Sequence, residues 1–521
     1  MNEPRMSEPN PPKATRRDWI GLAVIALPCV VYAMDMTVLN LALPALSAEL
    51  KPSASQLLWI VDIYGFMVAG FLITMGTLGD RIGRRKLLLI GAAAFAVASA
   101  MAAFSRSAET LIAMRALLGI AGATLAPSTL SLIRNMFHDE HERQFAIGVW
   151  IASYSLGAVI GPLVGGVLLQ FFAWGSVFLV AVPVMLLLLL LGPLLLPEYR
   201  DPAAGRVDGL SVALSLGAVL TVIYGLKQVA EHGLAWAPLA TMGVGLALGA
   251  AFVRRQGRLA YPLLDLKLFQ RPAFGAAIAA YGLSCLAIFG VCIFITQYLQ
   301  LVLGLSPLHA GLATVPSALA FVLGSLLAPR LARHVPRLSV LVWGLGVAAL
   351  GFALLTGADR SFGLWAVIAG LVVMSLGLAP VFTIGNEMII TAAPPERAGA
   401  ASALSETASE FSGALGIAVF GSIGTAVYRA GLSSTMPADV PPDAANAALS
   451  TLGAAVAAAQ GVPGAAGDLL LASARSAFVD ALQLAGLIGA VIVVAASVLA
   501  ARILRGDEKS ADASTAVRSA P

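Results

Sequence analysis

Fourteen apolar stretches follow one another along the 521-residue chain, and each is long enough to cross a bilayer as a helix. A hydrocarbon core of about 30 Å needs about 20 apolar residues per helix. With 59% hydrophobic and 12% charged residues, the chain is far more apolar than a soluble domain. We therefore predict an all-α integral membrane protein, with helices near 18–43, 57–79, 87–105, 109–133, 145–170, 174–197, 209–230, 236–253, 273–303, 307–329, 338–357, 361–391, 399–427 and 476–501.

The distribution of Lys and Arg predicts the orientation, because these residues favour cytoplasmic loops. In an arrangement with both termini cytoplasmic, 25 of the 32 Lys and Arg residues lie on the cytoplasmic side. The net charge of +4 is concentrated in these loops, so it needs no nucleic-acid partner to explain it. We predict a multi-pass protein whose two termini face the cytoplasm.

A faint internal repeat predicts two halves. Gly76-x-Leu78-x-Asp80-Arg81, which ends the second predicted helix, has a degraded counterpart at Gly324-x-Leu326, at the end of the tenth. Two halves with a substrate site between them suit alternating access. The predicted organisation is an N-terminal tail (1–17), a six-helix bundle (18–197), two additional helices (209–253), a second six-helix bundle (273–501) that includes an extracellular loop (428–475), and a C-terminal tail (502–521).

The extracellular loop is rich in Ala, Pro and Ser. Its alanine-rich run from Ala444 to Ala458 is compatible with a short helix or hairpin, and equally with a flexible spacer. The sequence leaves both alternatives open.

Four motifs lie in order along the first half: Asp35-Met-Thr-Val-Leu-Asn40, the turn from Gly76 to Lys86, Leu111-x-x-x-Arg115-x-x-x-Gly119, and Gly157-x-x-x-Gly161-Pro162-x-x-Gly165-Gly166. With them, the chain resembles the major facilitator superfamily, and within it the fourteen-helix drug:proton antiporters of the QacA-like and SmvA-like kind. The resemblance implies two six-helix bundles with two linker helices, a monomer in the cell (inner) membrane, and transport driven by the proton gradient without a cofactor.

Charged side chains inside the predicted helices are functional candidates, because placing one in hydrocarbon costs roughly 2.5 to 3.5 kcal/mol on insertion scales. Asp35 and Asp62 both lie towards the outer ends of their helices and are predicted to face one cavity. The resemblance implies a role for both in binding the proton or the substrate cation. Lys227 and Asp480 lie close to predicted helix ends, where we expect them to extend to the interface.

Glu406 and Glu410 are four residues apart and share one face of the thirteenth helix, so they repel each other when both are charged. The resemblance implies proton coupling or cation recognition by acidic residues in this helix. It likewise links Arg115 to proton transfer, and we expect Arg115 to act on Asp35. Some relatives carry an acidic residue in the tenth helix, whereas this chain has none between Pro307 and Pro329.

The turn after the second helix is predicted to act as a conformational latch, because glycines allow close approach of helix ends and the basic cluster anchors the cytoplasmic face. Its positive residues also set the topology, and the two roles are compatible. The residues assigned to this motif are Gly76, Asp80, Arg81, Gly83, Arg84 and Arg85.

In the fifth helix, Gly157, Gly161, Pro162, Gly165 and Gly166 form a stripe of low bulk that favours close packing and bending. The resemblance marks this stripe as typical of antiporters. Aromatic side chains are candidates for holding flat cations. The four selected are Tyr32, Trp59, Tyr64 and Phe411.

The sequence favours a proton-coupled exporter of lipophilic cations, such as dyes and quaternary ammonium antiseptics. One alternative is a narrow-substrate exporter of a metabolite or antibiotic, and a second is a non-transporting membrane sensor or scaffold. An enzyme is disfavoured, since the sequence contains no catalytic triad, metal-ligand or nucleotide motif. The expected partners are lipophilic cations, protons and membrane lipid, with no metal.

Overall fold

The computed structural model describes residues 13–200, 208–232, 235–259, 262, 266, 269, 272–358, 363–392, 398–437 and 439–518. Within these residues the regular structure is helical, and no strand is present. Residues 1–12, which make up most of the predicted N-terminal tail, lie outside this part of the chain.

The α-helices are numbered α1 to α18 in chain order. Two of them are continued by short turns of other helix types, a π-helix at Tyr298–Val302 and a 3-10 helix at Leu355–Gly357. The α-helices are α1 Arg16–Leu50, α2 Ala54–Ile82, α3 Arg84–Ala103, α4 Ala108–Gly122, α5 Leu125–Met136, α6 Glu140–Phe171, α7 Ser176–Leu179, α8 Ala181–Leu195, α9 Gly209–His232, α10 Trp236–Gln256, α11 Pro272–Gln297, α12 Pro307–Leu331, α13 Arg337–Leu354, α14 Gly363–Ala392, α15 Ala398–Thr435, α16 Pro442–Ser450, α17 Leu452–Gly461 and α18 Ala465–Arg518.

Thirteen helical segments of the described chain are long and apolar enough to cross a membrane. In this count α4 with α5, and α7 with α8, each form one span. The remaining long helix, α6, has 32 residues and includes two shorter apolar pieces, Phe145–Tyr154 and Ile160–Phe171. Together they agree with the predicted fourteen-helix, multi-pass membrane protein.

The helix starts that matter most for the site are fixed by local capping. Thr15 and Asp18 form a capping box at the start of α1, and Ser53 with Gln56 forms another at the start of α2. Lys51 ends α1 in the left-handed conformation. The chain therefore turns from α1 into α2 within three residues.

The helices of the first half contact those of the second along two main seams. Helix α2 packs along α15, and α6 packs along α12. Helix α1 lies against α6 and also contacts α11 and α17. The predicted domain boundaries stay a prediction.

Helices α9 and α10 pack on each other, and α9 also contacts α2 and α15. A bidentate ion pair joins their ends on the side where α1 begins, with Arg255 Nη2 3.0 Å from Asp208 Oδ1 and Arg255 Nε 3.0 Å from Asp208 Oδ2. This hydrogen bonding with Arg255 lowers the pKa of Asp208 to about 2. The pair therefore ties α9 to α10, and the contacts of α9 with α2 and α15 place it against both halves.

The predicted extracellular loop 428–475 is helical at both of its ends. Helix α15 continues to Thr435 and α18 begins at Ala465, so the intervening segment is shorter. The alanine-rich run forms α16 and α17, and Tyr428 donates a hydrogen bond to the Ala448 carbonyl at 2.8 Å. Hydropathy did not predict these helix ends, because it detects apolar runs. Polar and small residues can continue a helix beyond such a run.

Candidate functional site

An ion pair between α1 and α4 lies inside the bundle. Arg115 Nη1 is 2.5 Å from Asp35 Oδ2, and the two side chains are 2% and 9% exposed. Arg115 Nε also donates to the Ile60 carbonyl at 3.1 Å, and its guanidinium lies 4.6 Å from the centre of the Tyr64 ring. The structure therefore places Arg115 in contact with Asp35, the residue on which we expected it to act, and brings Tyr64 to the same pair.

A second buried ion pair joins α9 to α2. Lys227 Nζ is 2.9 Å from Asp62 Oδ2, and the side chains are 1% and 0% exposed. The same ammonium lies 3.7 Å from the centre of the Trp59 ring. The prediction that Lys227 extends to the membrane interface is wrong, because α9 packs against the bundle and turns Lys227 into it. Asp480, by contrast, is exposed.

Glu410 of α15 contacts the first half through Tyr32 of α1, whose hydroxyl donates to Glu410 Oε1 at 3.0 Å. Glu410 is buried, and its Oε2 makes no hydrogen bond to a described residue. Glu406, one turn earlier, is half-buried. The Tyr32 ring also packs near Tyr64, at 6.0 Å between ring centres. The Tyr32 and Tyr64 rings thus lie between the Glu410 carboxylate of the second half and the pair of Asp35 and Arg115.

A small cavity of about 20 Å³ lies between the two halves, beside these buried charged groups. That is room for about one water molecule. Asp62 and Arg115 line it, while Asp35 contacts it through Arg115. The remaining wall is mainly apolar and comes from both halves, including Met36, Phe289, Gly413 and Ile417. Phe411, selected as a cavity aromatic, packs instead against Phe66, at 6.5 Å between ring centres.

The turn between α2 and α3 is held by the chain that follows α8. Gly83 has φ +115°, a conformation that favours glycine. The backbone nitrogens of the next two residues donate to this chain, Arg84 to the Tyr199 carbonyl at 2.9 Å and Arg85 to Glu198 Oε1 at 3.1 Å. Glu198 could not be found from the sequence, because nothing in the spacing relates residue 198 to residue 85.

The basic side chains of the turn contact helix ends of the same half. Arg85 Nη1 donates to the Leu196 carbonyl at 2.9 Å, and Arg84 Nη1 to the Pro127 carbonyl at 3.3 Å. Arg81 is exposed, Gly76 faces Pro127, and the side chain of Asp80 lies outside the described residues. The turn therefore ties α2 and α3 to α5 and α8.

The glycine stripe of α6 packs on α1 through three of its members. A β-carbon on Gly157 would overlap the Val30 carbonyl, and one on Gly161 would overlap the Thr37 hydroxyl. Gly165 faces Val38 at closer than ordinary van der Waals distance for such a carbon. Gly166 instead faces Pro307 and Leu308 of α12, and the Pro162 carbonyl faces Gly311. Because these glycines have no side chain, α6 can lie close to α1 on one side and to α12 on the other.

A family model of the Major Facilitator Superfamily matches residues 25–417, about three quarters of the chain. The chain belongs to this superfamily. It is 45% identical to the multidrug efflux pump LfrA of Mycolicibacterium smegmatis, covering 94% of this chain and 97% of LfrA. It is 36% identical to the methyl viologen resistance protein SmvA of Salmonella typhimurium, over 89% of this chain and 93% of SmvA. It is therefore a membrane transporter.

The fold agrees with that of a solved transporter. A bacterial homologue of the human lysosomal transporter Spinster, crystallised inward-facing and unoccupied, matches with a TM-score of 0.69 at 16% identity. The match covers 95% of this chain and 99% of that one. At this identity the likeness concerns the fold alone.

In our structure, the two halves touch at the face of the protein where α1 ends. We call this the far face. There, Gln300 donates to the Leu41 carbonyl at 3.0 Å, and Gly453 of α17 packs on Ser47. The contact of Gly166 with Pro307 lies at the same face. The structure is thus closed at its far face. No cluster of three or more His, Cys, Asp or Glu residues that could bind a metal occurs in the described part of the chain.

Proposed function

We propose that this transporter exports lipophilic cations in exchange for protons. The observation that carries the proposal is Glu410, a buried carboxylate that α15 places against Tyr32 of the other half, with one oxygen lacking a hydrogen bond to a described residue. A carboxylate at the junction of the halves can exchange a proton for a cation and transmit that exchange to both. The names of LfrA and SmvA support a drug-like substrate.

The proposed cycle begins in the state described above, closed at the far face. We propose that this face is external and that both termini lie on the cytoplasmic side of the cell (inner) membrane, which the distribution of Lys and Arg supports. A cation from the cytoplasm or inner leaflet binds near Glu406 and Glu410, and the halves then rock to open outwards. Protons from outside displace the cation, and the protonated carrier returns. Asp35, Asp62 and Arg115 are proposed to couple this exchange to movement of α1, α2 and α4, and the working unit is a monomer.

The test is ethidium efflux from energised cells, with and without a protonophore, comparing wild type with Glu410→Gln and Asp35→Asn. We expect efflux to collapse with the protonophore and in at least one variant that reaches the membrane normally. Normal membrane levels with no flux of ethidium or of a small panel of other cations would contradict multidrug export. Competition between unrelated cations separates a multidrug carrier from one with a single substrate.

A further inference from the structure

The Lys227 ammonium lies in surroundings that would suit a foreign organic cation. It is 3.7 Å from the centre of the Trp59 ring and 2.9 Å from Asp62 Oδ2. An aromatic face beside a carboxylate is the combination that binds ammonium groups, and it binds them more strongly when water is excluded. Asp62 and Lys227 are both almost fully buried. The site is therefore built for a cation and already holds one.

The lysine comes from outside the two six-helix bundles. Helix α9 is one of the two additional helices, and it lies in the groove between α2 and α15. Ile223 of α9 packs there in one apolar cluster with Phe66 of α2 and Ala418 of α15. Lys227 follows Ile223 by one turn, so the same helix face that seals the groove delivers the ammonium to Asp62.

The acidic groups of the bundle interior differ in what neutralises them. Asp35 is paired with Arg115, and Asp62 with Lys227. Glu410 accepts a hydrogen bond from a tyrosine, and the structure assigns it no ion pair with a described residue. Asp62 nevertheless lines the cavity between the halves, and its Oδ1 makes no hydrogen bond to a described residue. Asp62 is thus positioned to meet a substrate but is neutralised by the protein itself.

We propose that Lys227 is a built-in cation that fills the ammonium site formed by Asp62 and Trp59, and so limits the positive charge that a substrate can carry. This inference rests on the proposed function. A cation with a second charged group would bring that group next to the Lys227 ammonium, which repels it. Without the lysine charge, Asp62 and Trp59 form an additional site for a protonated amine or a quaternary ammonium group.

Ethidium and propidium provide the test, because they share one ring system and propidium carries an additional quaternary ammonium. Equilibrium binding of both dyes is measured by fluorescence on the purified full-length protein, with no ion gradient. Lys227→Met is expected to increase propidium affinity by at least about tenfold, the lower range of coupling between close charge pairs. Ethidium affinity should change far less.

Three controls separate the effect of charge from the effect of packing. Lys227→Arg keeps the charge and should match wild type. The double variant Lys227→Met with Asp62→Asn removes the vacated carboxylate and should lose the gain in propidium affinity. Lys227→Gln makes the same charge change with a polar side chain and replaces Lys227→Met if that variant does not fold. Wild type itself is expected to bind propidium no more tightly than ethidium.

An unchanged ratio of propidium to ethidium affinity in a folded Lys227→Met or Lys227→Gln protein would overturn the proposal. A gain that persists in the double variant would do the same, as would tighter binding of propidium than ethidium by wild type. These outcomes differ from failure of the proposed function, which shows as an absence of proton-driven flux in wild type whatever the dye-binding ratio.

Discussion

Arg115 of α4 holds two other helices at one point, through Asp35 Oδ2 of α1 at 2.5 Å and the Ile60 carbonyl of α2 at 3.1 Å. Asp35 and Ile60 are 25 positions apart in the chain, and a single guanidinium fixes the distance between them. Because the pair is almost fully buried, any relative movement of α1 and α4 has to break or remake it. We therefore expect movement of these helices to depend on the charge of Asp35.

Replacing Asp35 by Asn should destabilise the protein, since it leaves the Arg115 charge buried without its partner. Breaking a buried pair from one side costs about 3 to 5 kcal/mol. The measurement is thermal unfolding of the purified protein in detergent. The double variant Asp35→Asn with Arg115→Met removes both charges and should recover much of the loss. Equal unfolding temperatures for wild type and Asp35→Asn would contradict this account of the pair.

A methyl group on Gly157 should loosen the contact of α6 with α1, because it overlaps the Val30 carbonyl. Overpacking of this kind costs about 1 to 3 kcal/mol. Gly148 is the matched control on the same helix, since a β-carbon there meets nothing within 4 Å. In thermal unfolding, Gly157→Ala should melt below wild type and Gly148→Ala should not. Identical behaviour of the two variants would show that the stripe is not a packing surface.

Glu198 should control the order of the turn between α2 and α3. Its Oε1 accepts the Arg85 backbone N–H at 3.1 Å, and its Oε2 lies 3.6 Å from Arg85 Nε. Glu198→Ala removes both contacts, whereas Glu198→Gln keeps an acceptor. Trypsin cleaves after arginine, so cleavage after Arg84 or Arg85 should be faster in Glu198→Ala and close to wild type in Glu198→Gln. Unaltered cleavage in Glu198→Ala would mean that the turn is held by other contacts.

The pair of Asp208 and Arg255 predicts a dependence of stability on acid. The pKa of Asp208 is lowered from 3.8 to about 2 by its hydrogen bonds with Arg255, so the pair stabilises the folded protein above about pH 4. That contribution is lost as the pH falls through about 2. The difference in unfolding temperature between wild type and Asp208→Asn should be constant from pH 7 to about pH 4 and shrink below it. If the difference in unfolding temperature between wild type and Asp208→Asn instead grew as the pH fell, the pair would not stabilise the folded protein in the way proposed.

The helices and the main charged candidates could be predicted because each leaves a local signal. An apolar run of sufficient length specifies a membrane helix regardless of its partners. A carboxylate or guanidinium within such a run is conspicuous by itself, so Asp35, Asp62, Arg115 and Glu410 were all identified from the sequence. Their expected roles in proton and cation binding stay predictions.

Pairings between distant positions left no such local signal, and the pairing of Arg115 with Asp35 was expected only from the family resemblance. Lys227 lies only five residues from the end of α9, and its burial depends on how α9 packs against α2, which hydropathy does not encode. The contact of Glu198 with Arg85 likewise depends on the position of α8. The short helices α16 and α17 were ambiguous because alanine-rich sequence suits a helix and a linker equally.

The most direct test of proton-coupled export uses purified protein in liposomes with an imposed pH gradient and no other energy source. Uphill movement of ethidium is followed by fluorescence for wild type and Glu410→Gln, with Tyr32→Phe as a variant that keeps the carboxylate. We predict that wild type concentrates ethidium on the acidic side, that Tyr32→Phe does so more slowly, and that Glu410→Gln does not. Equal uphill transport by Glu410→Gln and wild type, or ethidium movement that ignores the pH gradient, would contradict the account.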